Sequence, residues 1–182
     1  MSPFRPDLVD CWIYRVTLTA RGVAHPEVLL IRRAPGRLLP GLWQCVSGSL
    51  EPDERIATGA LRELTEETGF GGADIEGFYD LDLVNQFHEP SMDAILTAAV
   101  FAVRTRPDAE PQLSDEHDGA RWVPIDEAHG EVIWPGYRTA IERIREDLVD
   151  PERAAWFELT LEGARAARAE PRAATRSNAG RW

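Results

Sequence analysis

Cysteine is nearly absent: Cys11 and Cys45 are the only two in 182 residues, too few for a disulfide framework. Each stands among apolar neighbours, where a small core residue belongs. Positive charge is also short, with 20 Lys and Arg against 31 Asp and Glu and a formal net charge of −11. So acidic a surface repels nucleic acid polymers and anionic membranes, and neither is expected as a partner. A polyanionic small molecule would need help from cations or from a few placed arginines. Long apolar runs are missing too, since no stretch approaches the roughly 20 residues of a membrane-spanning helix. The opening Met1-Ser2-Pro3-Phe4-Arg5-Pro6 lacks the apolar centre of a signal peptide. A cytoplasmic chain with no lipid anchor is expected, and no internal repeat suggests a solenoid.

What is present is ordinary globular material, 43% hydrophobic and 28% charged, in a length that suits one domain. Residues 11–19 are rich in β-branched and aromatic types and read as a strand, and Glu27 to Arg32 reads as a second one buried on both faces. Ala34 to Gly41, with two prolines and two glycines, is a loop, and Leu42 to Val46 a short strand. A helix is expected from about Asp53 to Thr68, stopped by Gly69. Tyr79–His88, Ala94–Val103 and Arg121–Pro124 read as strands, and Pro135–Leu148 as a helix carrying Tyr137, Ile141, Ile144 and Leu148 at helical spacing. The order predicts an α/β fold with a mixed sheet between helices. Residues 1–150 form the expected domain and 151–182 a C-terminal extension, mobile from about residue 165, where apolar content falls away.

The chemistry is concentrated between Gly48 and Phe70. At about 100° per residue, Ile56, Ala57, Ala60, Leu61 and Leu64 share one arc of the helix, which faces the core. Glu63, Glu66 and Glu67 share an adjoining arc, together with Gly59. Three carboxylates there repel one another, and they lie in the last turns, where the helix dipole disfavours negative charge. Divalent cations would offset both penalties, and hard oxygen ligands suit Mg²⁺ or Mn²⁺. Arg62 precedes Glu66 by four residues and is placed to pair with a carboxylate. Gly59 costs about 1 kcal/mol of helix propensity against Ala, and its bare backbone would let a ligand or the preceding loop approach closely. The bland alternative is a solvated acidic face, which Glu66-Glu67 alone would not escape.

The spacing of the whole segment goes further. Gly48, five residues, Glu54, seven residues, then Arg62-Glu63-Leu64-Thr65-Glu66-Glu67-Thr68-Gly69-Phe70 resembles the Nudix box, G-x5-E-x7-R-E-U-x-E-E-x-G-U, with U a bulky aliphatic. Phe70 is the one departure, still apolar. The resemblance, which covers about residues 10–148, implies a three-layer α/β/α Nudix fold and divalent-metal-dependent hydrolysis of a diphosphate linkage. It further implies Glu63 and Glu67 as metal ligands, with the Gly48 carbonyl among the donors. Glu66 becomes a further ligand or the base that deprotonates the attacking water. Arg62 would orient the carboxylates, and Glu54 would support them.

Beyond the box, Leu113-Ser114-Asp115-Glu116-His117 offers Glu116 as an extra ligand or base, with Asp115 and Asp118 as competitors and His117 as a hydrogen-bonding loop residue. Trp43 to Ser49, Ser114 to His117, Trp122 and Arg138 with Ala140-Ile141-Glu142 are similar to the dihydroneopterin triphosphate and dATP pyrophosphohydrolase branch. That likeness implies Arg33 and Ser47 facing the substrate phosphates or sugar. Trp43, Tyr79 and Phe87 are aromatics able to stack a base; core suits Trp43, while Phe87 lies among the amides of Asn85-Gln86-Phe87-His88. The expected substrate is a nucleoside or pterin triphosphate, cut to monophosphate and pyrophosphate. ADP-ribose, dinucleotide polyphosphates and sugar nucleotides are the alternatives within the family, and a nucleotide-sensing module without catalysis is the alternative outside it. A homodimer is the expected oligomer.

Overall fold

The run Val28-Leu29-Leu30-Ile31 is buried along its whole length, so its alternating side chains must meet apolar layers on both sides. The computed structural model, which describes residues 5–161, supplies both layers. The described strands are β1 (Leu8–Leu18), β2 (Ala24–Arg33), β3 (Trp43–Gln44), β4 (Val46–Ser49), β5 (Ile75–Glu89), β6 (Ala94–Thr105), β7 (His117–Pro124) and β8 (Glu158–Leu159). The helices are α1 (Ile56–Thr68), α2 (Ile125–Glu131), α3 (Pro135–Arg143, continued by a π-helical turn Ile144–Leu148) and α4 (Pro151–Ala154).

On one sheet face Trp12, Tyr14, Val28 and Leu30 pack against Tyr137, Ala140 and Ile141 of α3 and Ile144 and Leu148 of its continuation. Trp12 and Tyr137 meet edge to face, ring centroids 5.3 Å apart. On the other face Cys11, Ile13, Leu29 and Ile31 pack against Ala60 and Leu64 of α1. Each fully buried Leu or Ile contributes roughly 1.5–3 kcal/mol, so the two interfaces fix helices on both sides of the sheet. The result is the expected α/β/α sandwich.

The sheet runs β3-β2-β1-β6-β5-β8, with β4 on β1 and β7 on β2. β1 and β6 are parallel and the other pairs antiparallel, which makes the sheet mixed. The detail that positions the site is a splay. β1 pairs with β2 over Tyr14–Leu18 and with β4 over Leu8–Cys11, on the edge away from β6. β2 in turn pairs with β3 at Ile31 and Arg32. β1 and β2 therefore part company, and the β3–β4 segment enters the gap and delivers Ser47 and Gly48 at its end.

Several expected boundaries move. α1 begins at Ile56 rather than near Asp53, because Asp53 has φ 61° and stands outside helical space. The expected strand Leu42–Val46 is broken at Cys45 into β3 and β4. β5 starts at Ile75 and carries an irregularity between Asp80 and Leu83, and β7 reaches back to His117. The sequence reading lacks α2, a short helix with Gly130 inside it and buried contacts only at Ile125 and Ala128. Past residue 150 the chain forms α4 and then β8, which pairs with β5 through Phe78–Leu159 and Tyr79–Glu158. The tail expected from about residue 165 lies outside the described residues. Among the described residues no helix is long and apolar enough to cross a membrane.

Candidate active site

Gly48 sits where a side chain could not. A Cβ there would fall 1.9 Å from Cδ of Glu63, so the bare backbone lets the loop close onto the helix carboxylate. Gly59 does the same one turn earlier: its missing Cβ would lie 2.4 Å from Leu50 Cδ2 and 3.0 Å from Glu54 Oε2. It is the loop before the helix, of the two approaches the sequence allowed, that comes close at Gly59.

Arg62 is the hub of the acidic face. Its Nε and Nη2 donate to the two oxygens of Glu54, each at 2.9 Å, and Nη2 also donates to the Ser49 carbonyl at 3.0 Å. Nη1 donates to Glu63 at 2.8 Å and to Glu66 at 3.0 Å. A planar guanidinium suits this fork of acceptors, which a lysine could not serve. The Arg62 bonds hold the Glu54 carboxyl below its usual range, and Glu54 also accepts from the Glu51 N–H at 3.0 Å. Glu54 is thus the anchor that holds Arg62.

The C-terminal end of α1 brings a second loop to the acids. Gly69 takes φ 70° and caps the helix by donating its N–H to the Thr65 carbonyl. The next free carbonyls, of Glu67 and Thr68, accept from the N–H of Ser114 at 3.1 Å and of Gln112 at 2.8 Å. Ser114, Asp115 and Glu116 consequently share one open cleft with Glu63, Glu66 and Glu67. Arg37, from the Ala34–Gly41 loop, pairs with Asp115 at 3.0 Å and Glu116 at 3.1 Å. Asp118 faces Arg32 instead, at 2.7 Å.

Burial and mutual repulsion set the electrostatics. Glu67 is only 5% exposed, and its carboxyl is pushed up to about 8, by burial first and then by the charges of Glu63 and Glu116. Burial also raises Glu63, against the lowering effect of Arg62. Glu67 Oε2 is buried without a hydrogen-bond partner. Carboxylates crowded until they resist ionising, with the bare Gly48 backbone against Glu63, are a donor set that fits a hard divalent cation. As they stand, no three acid, His or Cys side chains among the described residues converge in ligating geometry, since Glu63 and Glu66 are turned onto Arg62.

Three buried polar residues stand near the acids; the sequence offers His117 as a hydrogen-bonding residue and neither Gln44 nor Asp10. His117 is fully buried in its side chain, with Nδ1 3.8 Å from Glu67 Oε2 and no partner of its own. Burial, then the charge of Arg33, holds its pKa below the usual value. Gln44 is buried beside it, its Nε2 3.5 Å from His117 Nε2. Asp10, a buried acid on β1, accepts from Asn85 Nδ2 at 2.8 Å, and burial raises its pKa although Asn85 and Ser47 bond to it.

The expected substrate residues fall in different places. Arg33 is half-buried at the end of β2, where its charge reaches Glu67 and His117, and its Nε has no partner. Ser47 stands between Asp10, which its side chain reaches, and Glu67, which its backbone N–H helps hold down. Phe87 is 43% exposed but lies on β5, apart from the acidic cleft. β5 is three strand spacings from β4 through β6 and β1, roughly 14 Å. The Asn85 amide nitrogen is committed to Asp10. Tyr79 is buried beside Tyr14 and is core, and Trp43 has Arg121 over its ring at 4.1 Å. Both cysteines are buried and free, as a core role requires.

The fold and this loop–helix–loop define a class, an α/β/α domain built around an acidic helix. The model of the NUDIX domain matches residues 14–144, and the chain belongs to that family. Among curated proteins it is 37% identical over 119 residues to an octanoyltransferase of Myxococcus xanthus, covering 64% of this chain and 32% of that one. The chain thus spans about a third of that relative's length. Among solved structures, a C. elegans Ap4A hydrolase superposes with TM-score 0.62 at 19% identity, covering 78% of this chain and 96% of that one. The E. coli dihydroneopterin triphosphate pyrophosphohydrolase gives TM-score 0.54 at 20% identity, covering 76% and 97%. At such identities these two likenesses speak for the fold.

Proposed function

We propose that this protein hydrolyses a nucleoside-triphosphate-like molecule, a (deoxy)nucleoside or dihydroneopterin triphosphate, to monophosphate and pyrophosphate with Mg²⁺ or Mn²⁺. The observation that carries the reading is Glu67: a buried carboxyl, raised to about 8 by burial and by the charges of Glu63 and Glu116, with which it lines one cleft. A cation is what such a group lacks.

In this reading Glu63, Glu67 and the Gly48 carbonyl would hold the cation, and Glu116, paired with Arg37 at 3.1 Å, would be the further ligand. When bound, the cation neutralises the diphosphate and lowers the pKa of water nearby. Glu66, the most exposed of the three helix acids, takes the proton from the attacking water. Arg62, anchored by Glu54, keeps Glu63 and Glu66 in place. Arg33, whose charge reaches Glu67, and Ser47 face the phosphates or sugar. Phe87 stands far enough from the cleft to meet the base of a triphosphate rather than its phosphates. The likeness of Trp43–Ser49 and Ser114–His117 to the dihydroneopterin triphosphate and dATP branch supports the choice of substrate.

Product analysis tests the proposal. Purified protein with Mg²⁺ is given dATP, the other triphosphates, dihydroneopterin triphosphate, ADP-ribose and diadenosine tetraphosphate. Monophosphate plus pyrophosphate from one triphosphate is expected. Cleavage of ADP-ribose or the dinucleotide alone would replace the substrate while keeping the site, and binding without cleavage would make the chain a sensor.

A further inference from the structure

Glu67 Oε2 and His117 Nδ1 face each other 3.8 Å apart, and each is buried with no hydrogen-bond partner. Two unpaired polar atoms in one buried place are unfavourable unless they close on each other. On the far side of the imidazole, Nε2 lies 3.5 Å from the amide nitrogen of Gln44. An amide nitrogen only donates, so this contact is attractive only when Nε2 is bare. A neutral ring then carries its proton on Nδ1, directed at Glu67. With Glu67 ionised, as a metal ligand must be, the opposite tautomer would set a bare nitrogen against a carboxylate oxygen. The backbone holds the three side chains in register. Gln44 pairs with Ile31 of β2, Arg33 two residues on pairs with His117, and the Ser114 N–H ties the same loop to the Glu67 carbonyl.

We propose that Gln44, His117 and Glu67 form a one-directional hydrogen-bond relay in which His117 Nδ1–H holds Glu67 Oε2 and turns the other Glu67 oxygen into the cleft. His117 is then a positioning residue and not a ligand, and Gln44 sets its tautomer. The inference rests on the reading of Glu67 as a metal ligand. Groups that orient a ligating side chain in this way typically change metal affinity by about 10–100-fold when removed.

The test uses the full chain and two readouts. Histidine is labelled with ¹⁵N, and the ring shifts of His117 in the wild-type protein, read above about pH 8 where Glu67 is ionised, report its tautomer; a proton on Nδ1 is expected and a proton on Nε2 overturns the relay. Mn²⁺ affinity is then measured by calorimetry for wild type, His117→Asn and His117→Gln, with thermal unfolding as the check on folding. Asparagine places a donor near the former Nδ1 and glutamine near the former Nε2. His117→Asn should keep Mn²⁺ affinity within about threefold and His117→Gln should lose about 10-fold or more. Equal affinity in both variants, whether retained or lost, overturns the relay. A wild-type protein that binds no Mn²⁺ and cleaves nothing fails the proposed function itself, a result distinct from variants that behave alike in an active enzyme.

Discussion

Glu67 illustrates how one residue links stability, pH and metal. Its unfolded carboxyl ionises near the usual value of 4.5, its folded one near 8. Folding therefore favours the protonated form. The stabilising contribution is complete below about 4.5 and is lost as pH rises through about 8. In chelator the thermal midpoint should fall between pH 5 and pH 8, and Glu67→Gln should fall less and be the more stable protein at pH 8. The same variant should lose at least about 100-fold in kcat, the upper range for disturbing a metal site. Added Mn²⁺ should raise the wild-type midpoint more at pH 8 than at pH 5, because binding displaces the proton. Differential scanning calorimetry at the two pH values checks all of this; parallel profiles for wild type and variant would contradict the assignment. At Arg33, replacement by Ala should raise KM for a triphosphate about 10-fold with kcat little changed, the loss of one charge-assisted hydrogen bond; steady-state kinetics decides, and an unchanged KM removes Arg33 from the site. The helix acids were readable because their spacing repeats a known box. His117 was legible only as a hydrogen-bonding residue and Gln44 and Asp10 not at all, since contacts such as Gln44–His117 span 73 residues and leave no local pattern.

At the scale of elements, two glycines give opposite departures from propensity. In an open helix Gly→Ala stabilises by about 1 kcal/mol. At Gly59 the new Cβ would enter the space of Leu50, so Gly59→Ala should instead destabilise by about 1–3 kcal/mol, read by urea unfolding. Gly48→Ala should leave the fold standing while pushing the Glu63 carboxylate aside, costing about 100-fold in kcat. A Gly48→Ala enzyme of full activity would show that Glu63 needs no such approach. Helix α1 and strand β2 were legible because their apolar periodicity is strong. The start of α1 was misplaced because Pro52-Asp53 carries a starting signal while Asp53 adopts a left-handed turn that only coordinates reveal. Helix α2 escaped because seven residues with one internal glycine give too short a period to recognise.

For the molecule as a whole, a net charge of −11 sits uneasily with a polyanionic substrate. All 20 cationic residues are arginine, whose planar fork of donors suits carboxylate and phosphate oxygens. Arg62 and Arg37 are paired with the site's own carboxylates, while Arg33 keeps a buried, unpartnered Nε–H and its charge reaches Glu67. The three-layer order was legible from the doubly buried β2 and the flanking helices. The splay of β1 from β2, which delivers Gly48 to Glu63, was not, because strand pairing between distant segments has no local signature. On the proposed function, this splay and the acidic helix together make a cation platform. Crystals soaked in Mn²⁺ would reveal it by anomalous scattering. Mn²⁺ bonded to Glu63, Glu67 and the Gly48 carbonyl is expected, with Arg62 still held by Glu54. Mn²⁺ found elsewhere, or a cleft in which Arg62 and Arg37 keep every carboxylate at saturating Mn²⁺, would contradict it.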